Sequence, residues 1–248
     1  MADRFVLGVP LGRWQTNCYV LGDRVAGTAV VVDPGELAAG VVPQLLAQAQ
    51  VRCEAILLTH GHIDHIWSAP ALADELDVPI LLHPDDRWLW DSPLGGLASG
   101  LDPGEVEAFL GGPWAPPTER LVDLRDGQRL SLGGFEMLAR HTPGHTPGHV
   151  TFLARSVAAV DLAVAWRSAP LHADDLLLSG DLIFDGSVGR TDFPRGSMDE
   201  LLASIERTVL PLDDATLILS GHGAETTVGR ERAANPFLRG VVRQRPGV

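Results

Sequence analysis

The chain has 248 residues, enough to bury one large core, and only two cysteines, Cys18 and Cys53, too few for a disulfide framework. A formal charge of −13, with all nineteen basic residues Arg, argues against a nucleic-acid partner, because phosphate backbones reward clustered positive charge. MADRFVLGVPLGRW at the N-terminus lacks a basic segment followed by a long apolar run, and no apolar stretch reaches membrane-spanning length, so the sequence predicts a cytoplasmic protein with no membrane partner.

In chain order, FVLGVP, NCYVLGD and AVVVDPG are short β-rich runs ended by Gly, Asp or Pro, the punctuation of a strand meander. ELAAGVVPQLLAQAQ has the apolar spacing of an amphipathic helix, with Pro43 predicted in its first turn. CEAILLT reads as a strand buried on both faces. SAPALADELD follows as a helix and VPILLHP as another buried strand. Residues 91–118 are rich in Gly and Pro and predict a surface excursion with one short helix at 103–110. Trp90 and Trp114 near its ends either line a pocket or pack in the core. RLSLGG, FEMLARHTPG and HVTFLAR resume the strands, 155–173 is a weakly apolar insertion, and DLLLSGD, the helix SMDELLASIERTVL and ATLILSGHG complete the pattern. Strands and helices followed by strands and helices predict a layered α/β sandwich.

LLTHGHIDHIW, residues 57–67, sets His60, His62, Asp64 and His65 directly after an apolar run. Residues i and i+2 of a strand entering a loop share a side, so His60 and His62 suit one cation while Asp64 and His65 face a neighbouring one. The alternative is a polar loop whose histidines cap the next helix. More ligand-type residues follow apolar runs: His141, His145 and His149 in HTPGHTPGH, Asp181 after LLLSG, and His222 after LILSG. A carboxylate ending a buried strand needs a positive partner, which makes Asp181 the natural bridge between two cations.

On these residues the sequence resembles the metallo-β-lactamase superfamily, in the THGHIDH signature and in the later His, Asp and His, over nearly the whole chain. The resemblance implies a four-layer αββα sandwich, one domain over 1–248, with metals at one edge of the sheets. It also implies that His60, His62 and His145 bind one ion, that Asp64, His65 and His222 bind a second, and that Asp181 bridges them. The family's ligand stands in TPGHT, hence His145. His149 is expected to make a supporting hydrogen bond and His141 to be structural. Asp33 in VVVDPG is expected to organise a turn near the site, and His83 and His172 to be ordinary histidines.

Two divalent ions about 3.5–4 Å apart can share a hydroxide and polarise a carbonyl, with Asp64 and Asp181 as the carboxylates that hold this machinery. A thiolate, of parent pKa about 8.5, departs without a proton donor, whereas an amide nitrogen needs one and a phosphodiester wants a positive groove. No general acid stands outside the ligand set, so a small acyl-thioester is the expected substrate. Lactamases of the superfamily typically carry Cys where Asp181 stands. The sequence looks most like the glyoxalase II group, hydrolases of S-2-hydroxyacyl-thiols, whose short bacterial members share the GHG…T…GRER…NPFL ending found at 221–238. Arg190 falls where that group places a basic residue for the thiol cofactor's carboxylate; the other reading is an ion pair with Asp192. The chain departs from the longer enzymes in its shorter C-terminal part and in Asp192, where they use an aromatic residue. Zn is the first expectation for the metals, with Fe or Mn also acceptable to these ligands. The alternative function is a mononuclear iron persulfide dioxygenase, whose members share GRTDF, residues 189–193 here, and hold iron with residues matching His60, His145 and Asp181. A non-catalytic binding protein on the same scaffold is a further alternative.

Overall fold

The computed structural model describes residues 2–239, apart from 97–101, 111, 113, 115, 117, 118, 156, 158, 165, 166, 173 and 174. Parts of the predicted excursion and insertion, and the segment after NPFLR, lie outside the described residues. The opening meander is β1 (Arg4–Leu11), β2 (Thr16–Asp23) and β3 (Thr28–Val32), followed by α1 (Ala38–Ala49), β4 (Arg52–Leu57), α2 (Ile63–Ile66) and α3 (Ala69–Leu76). Next come β5 (Ile80–Leu82), α4 (Arg87–Asp91), α5 (Pro103–Leu110) and β6 (Leu121–Asp123). The second half holds β7 (Arg129–Leu132), β8 (Phe135–His141), β9 (Val150–Arg155), β10 (Ala159–Val164), β11 (Arg167–His172), β12 (Asp175–Gly180), β13 (Ile183–Phe184) and β14 (Ser187–Val188). It closes with α6 (Met198–Thr208), β15 (Leu217–Ser220), β16 (Thr226–Thr227) and α7 (Val228–Ala234).

These strands build an eight-stranded sheet, β11-β10-β1-β2-β3-β4-β5-β6, and a six-stranded sheet, β16-β15-β12-β9-β8-β7. Alternation along β3 shows why both faces are apolar. Val30 and Val32 point into the core between the sheets with Leu57, Phe135 and Phe152, while Ala29 and Val31 point to the helices. Val42 and Leu46 of α1 and Leu72 of α3 cover that outer face. Leu201 and Ile205 of α6 cover the second sheet through Leu153, Leu177 and Ile218. The order helix, sheet, sheet, helix is the predicted four-layer sandwich.

Pro43 is a correction. It lies inside α1 rather than in its first turn, where it withholds one backbone donor from the ladder. The helix continues because Val42 and Leu46 on either side are buried against the sheet. The insertion at 155–173 also gains a definite form. Its β10 adds to β1 in parallel and pairs with β11, extending the first sheet. Among the described residues no helix is long and apolar enough to cross a membrane.

Candidate metal centre

Parallel pairing aligns the ends of strands from distant parts of the chain. β3 pairs with β4 in parallel, so Asp33 and the Thr59–His65 stretch leave the first sheet at the same edge. β12 pairs with β15 in parallel, so Asp181 and His222 leave the second sheet together. Cross-links join these ends: Asn17 Nδ2 and Tyr19 Oη both donate to the Ser220 carbonyl, at 2.9 and 2.7 Å. The turn after β8 brings His145 to the same edge. Ser197 caps α6 by accepting from the Glu200 amide, and its own amide donates to Gly144 O at 2.7 Å, so the helix braces that turn.

The hydrogen bonds decide which ring nitrogen faces the centre. Asp33 Oδ2 accepts from Thr59 Oγ1 at 2.7 Å, which leaves the Thr59 oxygen to accept from His60 Nδ1 at 3.0 Å. The same Asp33 oxygen accepts from His65 Nδ1 at 2.9 Å. His145 Nδ1 donates to Arg190 O at 2.7 Å and His222 Nδ1 to Trp14 O at 3.1 Å. Each of these four rings thus spends Nδ1 on the protein and keeps Nε2 for the centre, the orientation that a ligating histidine requires. His62 turns the other way, its Nδ1 2.8 Å from His145 Nε2. Asp181 faces both groups of rings, with Oδ1 3.4 Å from His65 Nε2 and Oδ2 3.6 Å from both His145 Nε2 and His222 Nε2. Asp64 Oδ2 lies 3.2 Å from His222 Nε2 and is held by Thr16 Oγ1 at 3.0 Å.

All the predicted ligands are therefore brought together. Donor atoms of His60, His62 and His145, of His60, His65 and Asp181, and of Asp64, His65 and His222 form sets lying within 4.8 Å, each able to hold a metal ion. His60 Nε2, His65 Nε2 and Asp181 Oδ1 are buried without a hydrogen-bond partner. Orphaned polar atoms at such a density are costly unless a cation answers them. The donor chemistry and these orphans fit divalent metal.

Charge follows the same logic. Burial pushes the Asp64 and Asp181 carboxyls up, but the facing His65 and His222 outweigh it and hold both below the usual carboxylate range. Burial, with His145 opposite, drops His62 to about 3, and burial among neighbouring rings also lowers His60. Burial opposes a proton on His65 and His222 too, yet the carboxylates prevail and raise both. Ionised carboxylates and neutral His60 and His62 are the metal-binding forms, and the field that retains protons on His65 and His222 favours a cation between them.

Sequence reading missed one residue. Asp86, in a 3₁₀ turn at Pro84–Asp86, is fully buried and accepts three hydrogen bonds: from the Gly61 amide at 2.9 Å, Thr146 Oγ1 at 2.6 Å and the Gly148 amide at 2.7 Å. It ties the loop of His60 and His62 to the loop of His145. Gly148 is required there, since a Cβ would stand 2.6 Å from the Asp86 nitrogen. His149 supports the centre as expected: Asp181 N donates to its Nε2 at 3.1 Å, and its Nδ1 donates to Thr142 Oγ1 at 2.8 Å. His141 donates to the Pro147 carbonyl at 2.7 Å, a structural role. His83, expected to be an ordinary histidine, stacks its ring on His141 at 4.1 Å and 7°. With Asp85 these two also lie close enough to hold an ion, but His83 Nδ1 accepts from the Asp85 amide at 3.3 Å and His141 Nε2 is spent on the Pro147 carbonyl.

A cleft of about 410 Å³ opens on the centre, lined by His62, Asp64, His145, Asp181, His222 and Arg190 together with Trp14, Ile63, Pro93, Gly96, Phe184, Val188 and Phe193. Arg190 takes the ion-pair reading: its Nε and Nη2 donate to Asp192 at 2.7 and 2.6 Å. Trp90 is fully buried and Trp114 donates to its carbonyl at 2.6 Å, so both pack rather than line the cleft; the excursion reaches the cleft instead through Pro93 and Gly96.

A family model described as the metallo-beta-lactamase superfamily matches residues 11–160, and the chain belongs to that superfamily. The uncharacterized protein ML0493 of Mycobacterium leprae is 41% identical, over 95% of this chain and 99% of its own. The hydroxyacylglutathione hydrolase GloC of Haemophilus influenzae is 34% identical, over 93% of this chain and 96% of its own. Among solved structures, the BLEG-1 B3 metallo-beta-lactamase is 35% identical with a TM-score of 0.73, over 95% of this chain and 100% of its own.

Proposed function

We propose that this metal-dependent hydrolase holds two divalent ions, most readily Zn, and cleaves small acyl-thioesters to a carboxylic acid and a thiol. His60, His62 and His145 would hold one ion, Asp64, His65 and His222 the other, with Asp181 between them. Two bound ions would polarise the thioester carbonyl and lower the pKa of a water to about 7. The observation that carries the reading is the cleft's lining: beyond the donor set, Arg190 is its one ionisable side chain among the described residues. An arginine never gives up its proton in this range, so the leaving group must depart unaided. A thiolate can; the nitrogen of an unstrained amide cannot. Phe184, Val188, Phe193 and Trp14 give the acyl and thiol portions apolar walls, and Asp33, Thr59 and Asp86 keep the donor side chains in place before substrate arrives. The 34% identity to GloC, a hydroxyacylglutathione hydrolase, supports this reading.

The second reading is β-lactam opening, favoured by the 35% identity to BLEG-1. One experiment separates these from the iron-dependent oxygenation of a persulfide. Protein loaded with Zn or Mn is expected to cleave S-lactoyl thioesters, to leave a chromogenic cephalosporin intact and to consume no O₂. Cephalosporin turnover without thioester turnover would establish the second reading. Iron-dependent O₂ uptake with a persulfide, and no thioester cleavage in any metal form, would overturn hydrolysis altogether.

A further inference from the structure

At the rim of the cleft Arg190 is already bound to a carboxylate of its own chain. Its Nε and Nη2 meet the two oxygens of Asp192, fork to fork, the arrangement by which a guanidinium recognises any carboxylate. The guanidinium carbon lies 3.9 Å from the centre of the Phe193 ring, over its face. Phe193 in turn stands edge-on to His62, 5.2 Å away, so the pair sits beside the reacting centre. The Arg190 backbone is committed as well, because its carbonyl receives His145 Nδ1. Of the two edges a guanidinium offers a carboxylate, Asp192 fills the one formed by Nε and Nη2. Arg195, the next arginine along the loop, lies 4.4 Å over the Trp88 ring and does not line the cleft. The hydrogen bonds from Arg190 hold Asp192 at a pKa of about 2, so Asp192 is a carboxylate throughout the working range.

We propose that Asp192 sets the charge preference of the site: it occupies the Arg190 fork and directs the cleft to thioesters whose thiol portion has no carboxylate at that position. The choice of substrates rests on the thioester reading, but the claim concerns which anion the fork accepts. Both side chains are solvent-exposed, 54% and 66%, so an incoming carboxylate can reach the fork but must first displace a tethered rival two residues away.

The test uses two substrates on the metal-loaded protein, S-lactoyl-N-acetylcysteamine, which is uncharged, and S-lactoyl-3-mercaptopropionate, which has one carboxylate. D192N is expected to lower KM for the charged substrate about fivefold, the scale of one exposed ion pair, with kcat and the neutral substrate's KM nearly unchanged. R190Q/D192N should lose that gain. An NMR titration with 3-(methylthio)propionate reads binding without hydrolysis and should show the same tightening in D192N. Equal changes for both substrates, or no tightening in the titration, would overturn the proposal. If the wild-type protein cleaves no thioester while the titration still tightens in D192N, the thioester reading fails and the role of Asp192 stands.

Discussion

Asp33 controls the centre without facing it. Its two oxygens receive the Thr59 amide, the Thr59 hydroxyl and His65 Nδ1, and through Thr59 it also sets the tautomer of His60. Asp33→Asn replaces an acceptor with a donor at one of these positions. Affinity for an ion at Asp64, His65 and His222 is expected to fall about 10–100-fold, read by competition with a chromogenic chelator. Unchanged affinity would show that His65 keeps its orientation unaided. Asp86→Ala should be worse for stability, because it leaves two amides and a hydroxyl buried without an acceptor. The expected loss is about 3–5 kcal/mol in a denaturant titration. THGHIDH and the later histidines were legible because a cation needs those residue types in close sequence after buried strands. Asp86 was not: HPDD reads as an ordinary turn, and its three donors come from residues 25 to 62 positions away. The Arg190–Asp192 pair stood as one of two readings, since two residues of spacing permits the pair without requiring it.

At the scale of elements, the stack of His83 on His141 joins the end of β5 in one sheet to the end of β8 in the other. Burial, and then the facing His141, hold His83 below its ordinary value of 6.5. The unfolded chain therefore takes up this proton at higher pH than the folded chain does. Stability from neutral His83 is present above 6.5 and is lost as pH falls below it. H83N should lose less stability than the wild-type protein between about pH 7 and about pH 5, as measured by urea titrations. A steeper loss in H83N would reverse the sign of this argument. The excursion is anchored by Trp114, whose ring lies 5.5 Å from Trp67 and 5.3 Å from Trp90. Trp114→Ala is expected to raise KM through the Pro93–Gly96 wall while metal content stays constant; elemental analysis beside kinetics would expose the opposite. The helix at 103–110 was legible from its local pattern and is α5. The β10–β11 hairpin was not, because 155–173 has weak apolar periodicity and its form depends on pairing with β1, far away in the chain.

For the whole molecule, the orphaned donors imply that metal and fold stabilise each other. An ion present at about 100 times its dissociation constant adds about 2.7 kcal/mol, provided the unfolded chain binds it poorly. Protein stripped by a chelator should melt several degrees lower and recover with Zn. A single cooperative transition in calorimetry is the outcome expected of one domain over 1–248. Two separated transitions would divide it, and a melting point indifferent to metal would contradict the fit of the donor set.

The strand ends that meet at the centre belong to remote parts of the chain, and this bears on synthesis. A ribosome delivers His60, His62, Asp64 and His65 first, but their partners at His145, Asp181 and His222 emerge only later. The Ser220 carbonyl that receives Asn17 and Tyr19 is equally late. At about 5–20 residues per second, the early histidines precede His222 by many seconds. The complete donor set, and with it any choice among cations by all seven side chains, exists only once His222 has been added to the chain.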